Sequence, residues 1–401
     1  MRTPSLAPRP LQNLLLMSRL KVLSIGHSYC VAMNRGILRK IAEDPELDIT
    51  VGGPAFFHGD LRPIEFEPEP TGSKLKTIPI STRLSRYIHL FWYHGGQLRR
   101  LVRSSEFDVI HAWEEPYIYA GYQVSKSCRD LPSRYCFRTA QSMNKRYPPP
   151  FNWFEKSVLR HASGWIAGAS LVHEQMLNRG YSAPAGTILN LAVDTSTFRP
   201  LTAEQKSQVQ QSLGLQGPVI GFNGRLETDK GVEILLAALE KIKHRSWSCF
   251  FMGSGRLEVR IRQWAQSHGL KDRIAIKLIP HSEVPSYQGA MDIMVAPSQT
   301  MPNWKEQFGR MLIEAFAAGV PVIASDSGEI PFTVGDAGII VPERDVNQYA
   351  QAIECLLDDD QKRNSLIGKG LQRAEHFSVD QTAERYKRFY RELASREKDR
   401  S

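Results

Sequence analysis

The stretch Glu306-Gln307-Phe308-Gly309-Arg310-Met311-Leu312-Ile313-Glu314 sets two carboxylates eight positions apart across a loop-to-helix junction. On a helix that separation amounts to roughly 80° of rotation and about 12 Å of rise, so the two acids meet different parts of one extended molecule. Gly309 lets the backbone approach a ligand, and the helix running on through Met311, Leu312, Ile313, Ala315 and Phe316 turns free N–H groups toward an anion. A sugar joined through phosphates to a ribose fits that arrangement. Upstream, residues 218–231 read as a buried strand, a loop carrying Arg225 and Lys230, and the start of a helix over Val232 to Leu239. Two cations at the carboxyl end of a strand make a clamp for a diphosphate. The plainer readings are surface charges for Arg225 and Lys230, a solvated or salt-bridged helix position for Glu314, and a helix-dipole partner for Glu306.

Further motifs follow in one order: Gly224-Arg225-Leu226 with Lys230-Gly231, then Met252-Gly253-Ser254-Gly255, then Glu306 to Glu314, then Ala318-Gly319-Val320-Pro321-Val322-Ile323 and Gly328-Glu329-Ile330-Pro331. On these residues the chain resembles the retaining glycosyltransferases of family 4, which include glycogen-synthase-like and mannosyltransferase-like group 1 enzymes. The resemblance runs from about residue 19 to about 393 and is strongest over 219–342. It implies a GT-B fold, with two Rossmann-like domains whose parallel sheets face a central cleft. It also implies transfer of a sugar from a nucleoside-diphosphate donor to an acceptor hydroxyl with retention of anomeric configuration, in glycan, polysaccharide or glycolipid synthesis.

By that resemblance Glu314 takes the ribose hydroxyls. Glu306 meets hydroxyls of the transferred sugar, helped by the backbone N–H groups of Gln307, Phe308 and Gly309. Gly253 and Gly255 border the nucleotide pocket with Gly224. Arg225 and Lys230 face the leaving diphosphate, which gains charge as the glycosidic bond breaks, so they favour the transition state over the ground state. No enzyme nucleophile is implied, and the leaving phosphate takes the acceptor proton. The first half departs from the family. Gly26 stands alone where paired glycines are usual, and Arg138-Thr139-Ala140-Gln141 stands where many members place a histidine. Gly26, His111, Glu114, Glu115 and Gln141 therefore read as acceptor-side residues, with His111, Glu114 and Glu115 projecting from a strand end into the cleft, and no general base is assigned. A capped turn with solvated carboxylates is the alternative there. The altered loops keep a catalytically silent sugar-nucleotide-binding protein open as a rival.

Apolar runs alternate with helical stretches almost throughout, which argues parallel α/β sheets. Strand-like runs fall at 22–25, 51, 109–111, 136–139, 164–167 and 186–190, and again at 219–222, 249–252, 274–278, 293–296 and 322–324. Parallel sheets bind ligands at the carboxyl ends of their strands, so two facing halves place the reaction between them. We expect an N-terminal extension over 1–20, an acceptor-binding domain over 21–197, a nucleotide-sugar domain over 198–376, and a closing segment, 377–401, whose amphipathic helix carries Tyr386, Phe389 and Tyr390. By the resemblance that helix crosses back to the first domain. Asp358 and Asp360 form the only Asp-x-Asp spacing, at what reads as a helix end, so neither a metal ion nor another cofactor is expected.

The chain has 401 residues, enough for two domains, and its five cysteines show no C-x-x-C pair or zinc spacing, which suits a reduced, cytoplasmic setting. The apolar run Leu14–Met17 is too short for a membrane span, and initiation at Met1 or at Met17 is equally readable. All of the formal net charge of +9 lies in residues 1–200. No acidic residue occurs between Glu69 and Glu106, where Arg83, Arg86, Arg99 and Arg100 accompany Tyr87, Ile88, Leu90, Phe91, Trp92 and Tyr93. That segment is a candidate for an anionic membrane surface and a lipid-linked acceptor, against the plainer reading of a packed helix with a solvated basic face. Nucleic-acid binding is not expected, because no recognised module accompanies the charge.

Overall fold

The computed structural model describes residues 19–58, 63–181, 186–302 and 304–396. Of the expected N-terminal extension over 1–20, residues 1–18, with both candidate start positions, lie outside them, and Leu20 already belongs to the first strand. In chain order, the strands of the first sheet are Leu20–Ile25, Leu47–Pro54, Lys76–Ile80, Val109–Ala112, Arg134–Thr139, Gly164–Ala167 and Gly186–Ile188. They are all parallel, and their spatial order is third, second, first, then fourth to seventh. The second sheet is built the same way from Val219–Asn223, Ser248–Met252, Ile274–Lys277, Ile293–Ala296, Val322–Ser325 and Gly338–Val341, ordered third, second, first, fourth, fifth, sixth. Helices cover both faces of each sheet, so a central strand such as Ser248–Met252 is buried at every position. Each sheet accordingly has one apolar core on either side.

Both layouts reverse direction between the first and the fourth strand. The loops leaving those two strands diverge and open a crevice at their carboxyl ends. In the first half that crevice lies beside Gly26 and Trp113, in the second beside Asn223, Gly224 and Pro297.

The closing helix Val379–Ser395 packs on the first half, where Ala383, Tyr386, Phe389, Tyr390 and Leu393 are buried with Val22, Ile41, Val109, Cys136 and Ile166. The two crossings between halves lie side by side: Val193 donates its N–H to the Phe377 carbonyl at 2.9 Å, and Val379 donates to the Val193 carbonyl at 3.0 Å. Ion pairs of Lys40 with Asp380 and of Arg391 with Glu46 fix the helix from outside.

Three features differ from the sequence reading. Lys76–Ile80 is a strand despite Pro79, because it lies at the sheet edge, where a missing N–H breaks no interior ladder. Gly338–Val341 is the corresponding unexpected edge strand of the second sheet. The aromatic run Tyr87–Tyr93 is not helical. Leu84 adopts φ 53°, residues 85–90 form turns and a bend, and Trp92–Tyr93 pairs antiparallel with Thr82–Arg83. The buried Phe91 and Tyr93 flank the half-buried Trp92, a period of two that suits a strand. The helix of this region is Gly95–Val102.

Candidate active site

In the second half the strand Val219–Asn223 is buried as far as Phe222, and its end delivers Gly224 and Arg225 to the switch-point crevice. A short 3-10 turn, Thr228–Lys230, then brings Lys230 back to the same place before the helix Val232–Lys241 begins. The neighbouring strand ends in Gly253, packed so closely on Gly224 that a Cβ there would lie 1.9 Å from the Gly224 carbonyl oxygen. Gly309 has φ 77° and opens the helix Arg310–Ala317, which buries Leu312, Ile313 and Phe316. Among the described residues, the N–H groups of Gln307, Phe308 and Gly309 have no acceptor at this helix start.

These elements enclose a cavity of about 310 Å³ lined by Gly224, Arg225, Lys230, Gly253 and Glu314, with Met252, Leu278, Ile279, Val284 and Met311 as its apolar wall. Glu306 is not on the wall. It sits behind Lys230, whose Nζ is 2.7 Å from Glu306 Oε2, and Ser298 Oγ donates to the same oxygen at 3.2 Å. Gly255, Gln307, Phe308 and Gly309 also stand back from the lining. The Phe308 side chain belongs to the core, against Phe377, so only its backbone can serve a ligand.

Every cation here faces its own carboxylate. Arg225 pairs with Asp229 at 2.8 Å, Lys230 with Glu306 at 2.7 Å, and Arg310 Nε lies 2.9 Å from Glu314. Lys230 also lies over the Trp304 ring, 4.3 Å from its centre. Burial pushes the Glu314 carboxyl above its ordinary range, and Arg310 beside it only partly offsets that.

A larger cavity, about 970 Å³, continues from this one and shares Met33, Phe198, His281, Arg310 and Glu314 with it. Its first-half wall includes Ser28, Val31, Asn34, Ile37 and Trp113. None of the five acceptor-side candidates lines it. His111 does not project into the cleft, because it lies one residue inside its strand and so faces the sheet side that the closing helix covers. It is fully buried, with Nδ1 2.9 Å from the Tyr390 hydroxyl and 3.3 Å from Ser24 Oγ. Glu114 is buried rather than projecting: it accepts from the His27 N–H and the Tyr93 hydroxyl, both at 2.6 Å. Glu115 also turns inward and ties two strand-end loops together, accepting from Thr139 Oγ1 and the Ala140 N–H at 2.7 Å each. Gln141 donates to the Tyr147 hydroxyl at 2.9 Å, and Gly26 packs against Trp113.

Residues 204–373 match the model of the family described as glycosyl transferases group 1. The crystal structure of a glycosyltransferase from Rickettsia africae has the same fold, with a TM-score of 0.75 over 94% of this chain and 100% of that one at 16% identity. Residues 204–373 are a group 1 glycosyltransferase domain, in a chain of GT-B fold. The D-inositol 3-phosphate glycosyltransferase of Corynebacterium aurimucosum is 28% identical over 334 residues, 77% of this chain and 72% of that protein. The alpha-D-kanosaminyltransferase of Streptomyces kanamyceticus is 25% identical over 346 residues, 80% of this chain and 88% of that protein.

Two residues that the sequence reading quoted without a role take part in this site. Arg310 lies four positions before Glu314, so a helical spacing count signals the pair. Glu329 gave no such signal. It is 1% exposed and reaches across the cleft to accept from the Ser170 N–H at 2.7 Å and the Leu171 N–H at 3.0 Å, capping a first-half helix from the second half. Its own N–H donates to the Glu306 carbonyl at 3.0 Å, which links the closed cleft to the loop that carries Glu306.

Proposed function

We propose that this enzyme is a family 4 glycosyltransferase that moves a sugar from a nucleoside-diphosphate sugar to an acceptor hydroxyl with retention at the anomeric carbon. The observation that carries the reading is the set of internally neutralised pairs around one cavity, Arg225–Asp229, Lys230–Glu306 and Arg310–Glu314. An anion alone would strand the carboxylates, and a polyol alone would leave the cations as they are. A ligand that carries both a diphosphate and hydroxyl-bearing ends offers new partners to four of these six groups at once: phosphate oxygens take Arg225 and Lys230, and hydroxyl donors take Glu306 and Glu314. Charge then grows on the leaving diphosphate where Arg225, Lys230 and the free N–H groups at the helix start can stabilise it.

The same proposal gives the donor to residues 198–376 and the acceptor to 21–197, and it takes the donor as co-substrate, with no resident cofactor or metal ion. Retention fits a site whose first-half carboxylates, Glu114 and Glu115, are committed to internal hydrogen bonds, because the leaving phosphate can accept the acceptor proton on the face of bond breaking. The relatives are, as their names state, a D-inositol 3-phosphate glycosyltransferase and an alpha-D-kanosaminyltransferase, and we extend from them only sugar transfer; the glycan or lipid-linked acceptor is part of this proposal. Cytoplasmic placement is part of the reading. Among the described residues, no helix is long and apolar enough to cross a membrane. Product analysis by proton NMR tests the proposal: transfer with the donor's α configuration kept supports it, and an inverted product contradicts it.

A further inference from the structure

Leu84, Tyr87, Ile88 and Leu90 are apolar yet 48, 57, 39 and 45% exposed on a single loop. The loop is fixed at both ends. Ser85 is buried, with Oγ 2.8 Å from His58 Nδ1, and Phe91 is fully buried against Phe57 and Tyr93. Between them the Tyr87 carbonyl accepts from the N–H groups of Leu90 and Phe91 at 2.8 and 3.0 Å. Leu84 is held in the left-handed region, which a leucine adopts only where its surroundings impose it. These side chains are therefore presented outward by a built loop.

Arg83 and Arg86 are exposed on the loop itself, and Arg99 and Arg100 are exposed on the helix Gly95–Val102. That helix is tied to the base of the loop, because Gln97 Oε1 accepts from the Ser81 N–H at 2.7 Å. Among the described residues none of the four arginines forms an ion pair; Arg99 only adds its field to that of Arg103, which pairs with Asp130. The loop leaves the sheet at the carboxyl end of Lys76–Ile80, the same end at which the cleft opens.

We infer that this surface docks the enzyme on an anionic lipid bilayer. Leu84, Tyr87, Ile88 and Leu90 enter the headgroup boundary while the arginines meet lipid phosphates, which brings the cleft to an acceptor carried on that bilayer. A nucleic acid would meet the arginines but would leave Leu84, Ile88 and Leu90 in water, since single strands bind by stacking on aromatic rings. The clause about the acceptor rests on the transfer reading, and the docking does not.

Flotation of the full chain with vesicles of phosphatidylcholine and phosphatidylglycerol tests it, with pure phosphatidylcholine vesicles and heparin as comparisons. We expect association with the mixed vesicles at low salt, weakening as salt screens the charges, and none with the neutral ones. The Leu84→Ser/Tyr87→Ser/Leu90→Ser variant, and separately the variant with Arg83, Arg86, Arg99 and Arg100 changed to Gln, lower association about tenfold or more while melting temperature and nucleotide affinity stay unchanged. No association of the wild-type chain at low salt overturns the docking, and so does heparin binding as tight as vesicle binding that survives the triple serine change. Vesicle binding with transfer to soluble acceptors alone leaves the docking in place and overturns the acceptor clause.

Discussion

Replacing Lys230 with methionine keeps most of the side-chain volume over Trp304 and removes the cation. Glu306, 8% exposed in the wild-type chain, is then left, among the described residues, with only Ser298 to donate to it. Breaking a fully buried ion pair by removing one partner costs about 3–5 kcal/mol. The Lys230 and Glu306 side chains are 15 and 11% exposed, so water relieves part of that penalty and about 2 kcal/mol remains. For a domain of this size that loss is roughly 4–8 °C in melting temperature. The effect on chemistry is separate: loss of a group that stabilises developing charge lowers kcat about 10²–10³-fold. The double variant Lys230→Met/Glu306→Gln separates the two, because no uncompensated carboxylate is left. Scanning calorimetry should show the double variant recovering most of the melting temperature lost in Lys230→Met, while release of nucleoside diphosphate stays as low as in the single variant or falls further. Additive destabilisation in the double variant would show that the pair is not coupled, and wild-type turnover in Lys230→Met would remove the clamp from the mechanism.

Glu314→Gln should weaken binding of the donor and of the free nucleoside diphosphate alike, whereas Glu306→Gln should spare the free nucleotide and impair transfer; equal losses by titration calorimetry would overturn that division. Glu329→Ala should leave nucleotide affinity unchanged, open the cleft in solution scattering and lower kcat about tenfold or more through the Glu306 loop, and an unopened, fully active variant would show the cross-cleft cap to be incidental. Turnover should persist in excess EDTA, and an absolute requirement for added magnesium or manganese would contradict the side-chain clamp. Burial, with Arg138 adding to it, pushes the His111 imidazole down to about 3. Its folded value lies below the unfolded value, so the unfolded chain takes up the proton first and stability falls as pH drops below about 6.5, by up to ~1.4 kcal/mol per pH unit. Denaturant titrations at pH 7 and 5 should show a smaller difference in His111→Gln, and an unchanged difference would place the acid sensitivity elsewhere.

The second half was legible because its candidate cavity lies at strand and helix ends that short motifs mark. Gly224-Arg225 and Lys230-Gly231 each sit where a backbone turn and a cavity-lining side chain coincide, so residue type and local geometry carry the same information. The first half was less so. His111 and Glu114 have the residue types of an acceptor site, but a strand alternates its faces, and which face a closing helix covers is decided by Tyr386 and Tyr390 far along the chain. Pro79 hid an edge strand because sequence alone does not say which strand lies at an edge. The aromatic run Tyr87–Tyr93 mixed buried and exposed rings, and only the loop anchored at Ser85 and Phe91 separated them. The role of Glu329, though its motif was legible, was hidden for the same reason: its partners, the N–H groups of Ser170 and Leu171, carry no sequence signature.

The central claim is that the cavity at the second switch point holds a nucleoside-diphosphate sugar and breaks its glycosidic bond. Release of nucleoside diphosphate from a panel of uridine, guanosine and adenosine diphosphate sugars, measured with a mixed membrane and soluble extract as acceptor source, tests it most directly. The account predicts release from at least one donor, carried by the wild-type chain and lost in Lys230→Met and in Glu306→Gln. Tight binding of sugar nucleotides with no release from any of them would contradict it and leave a binding protein in its place.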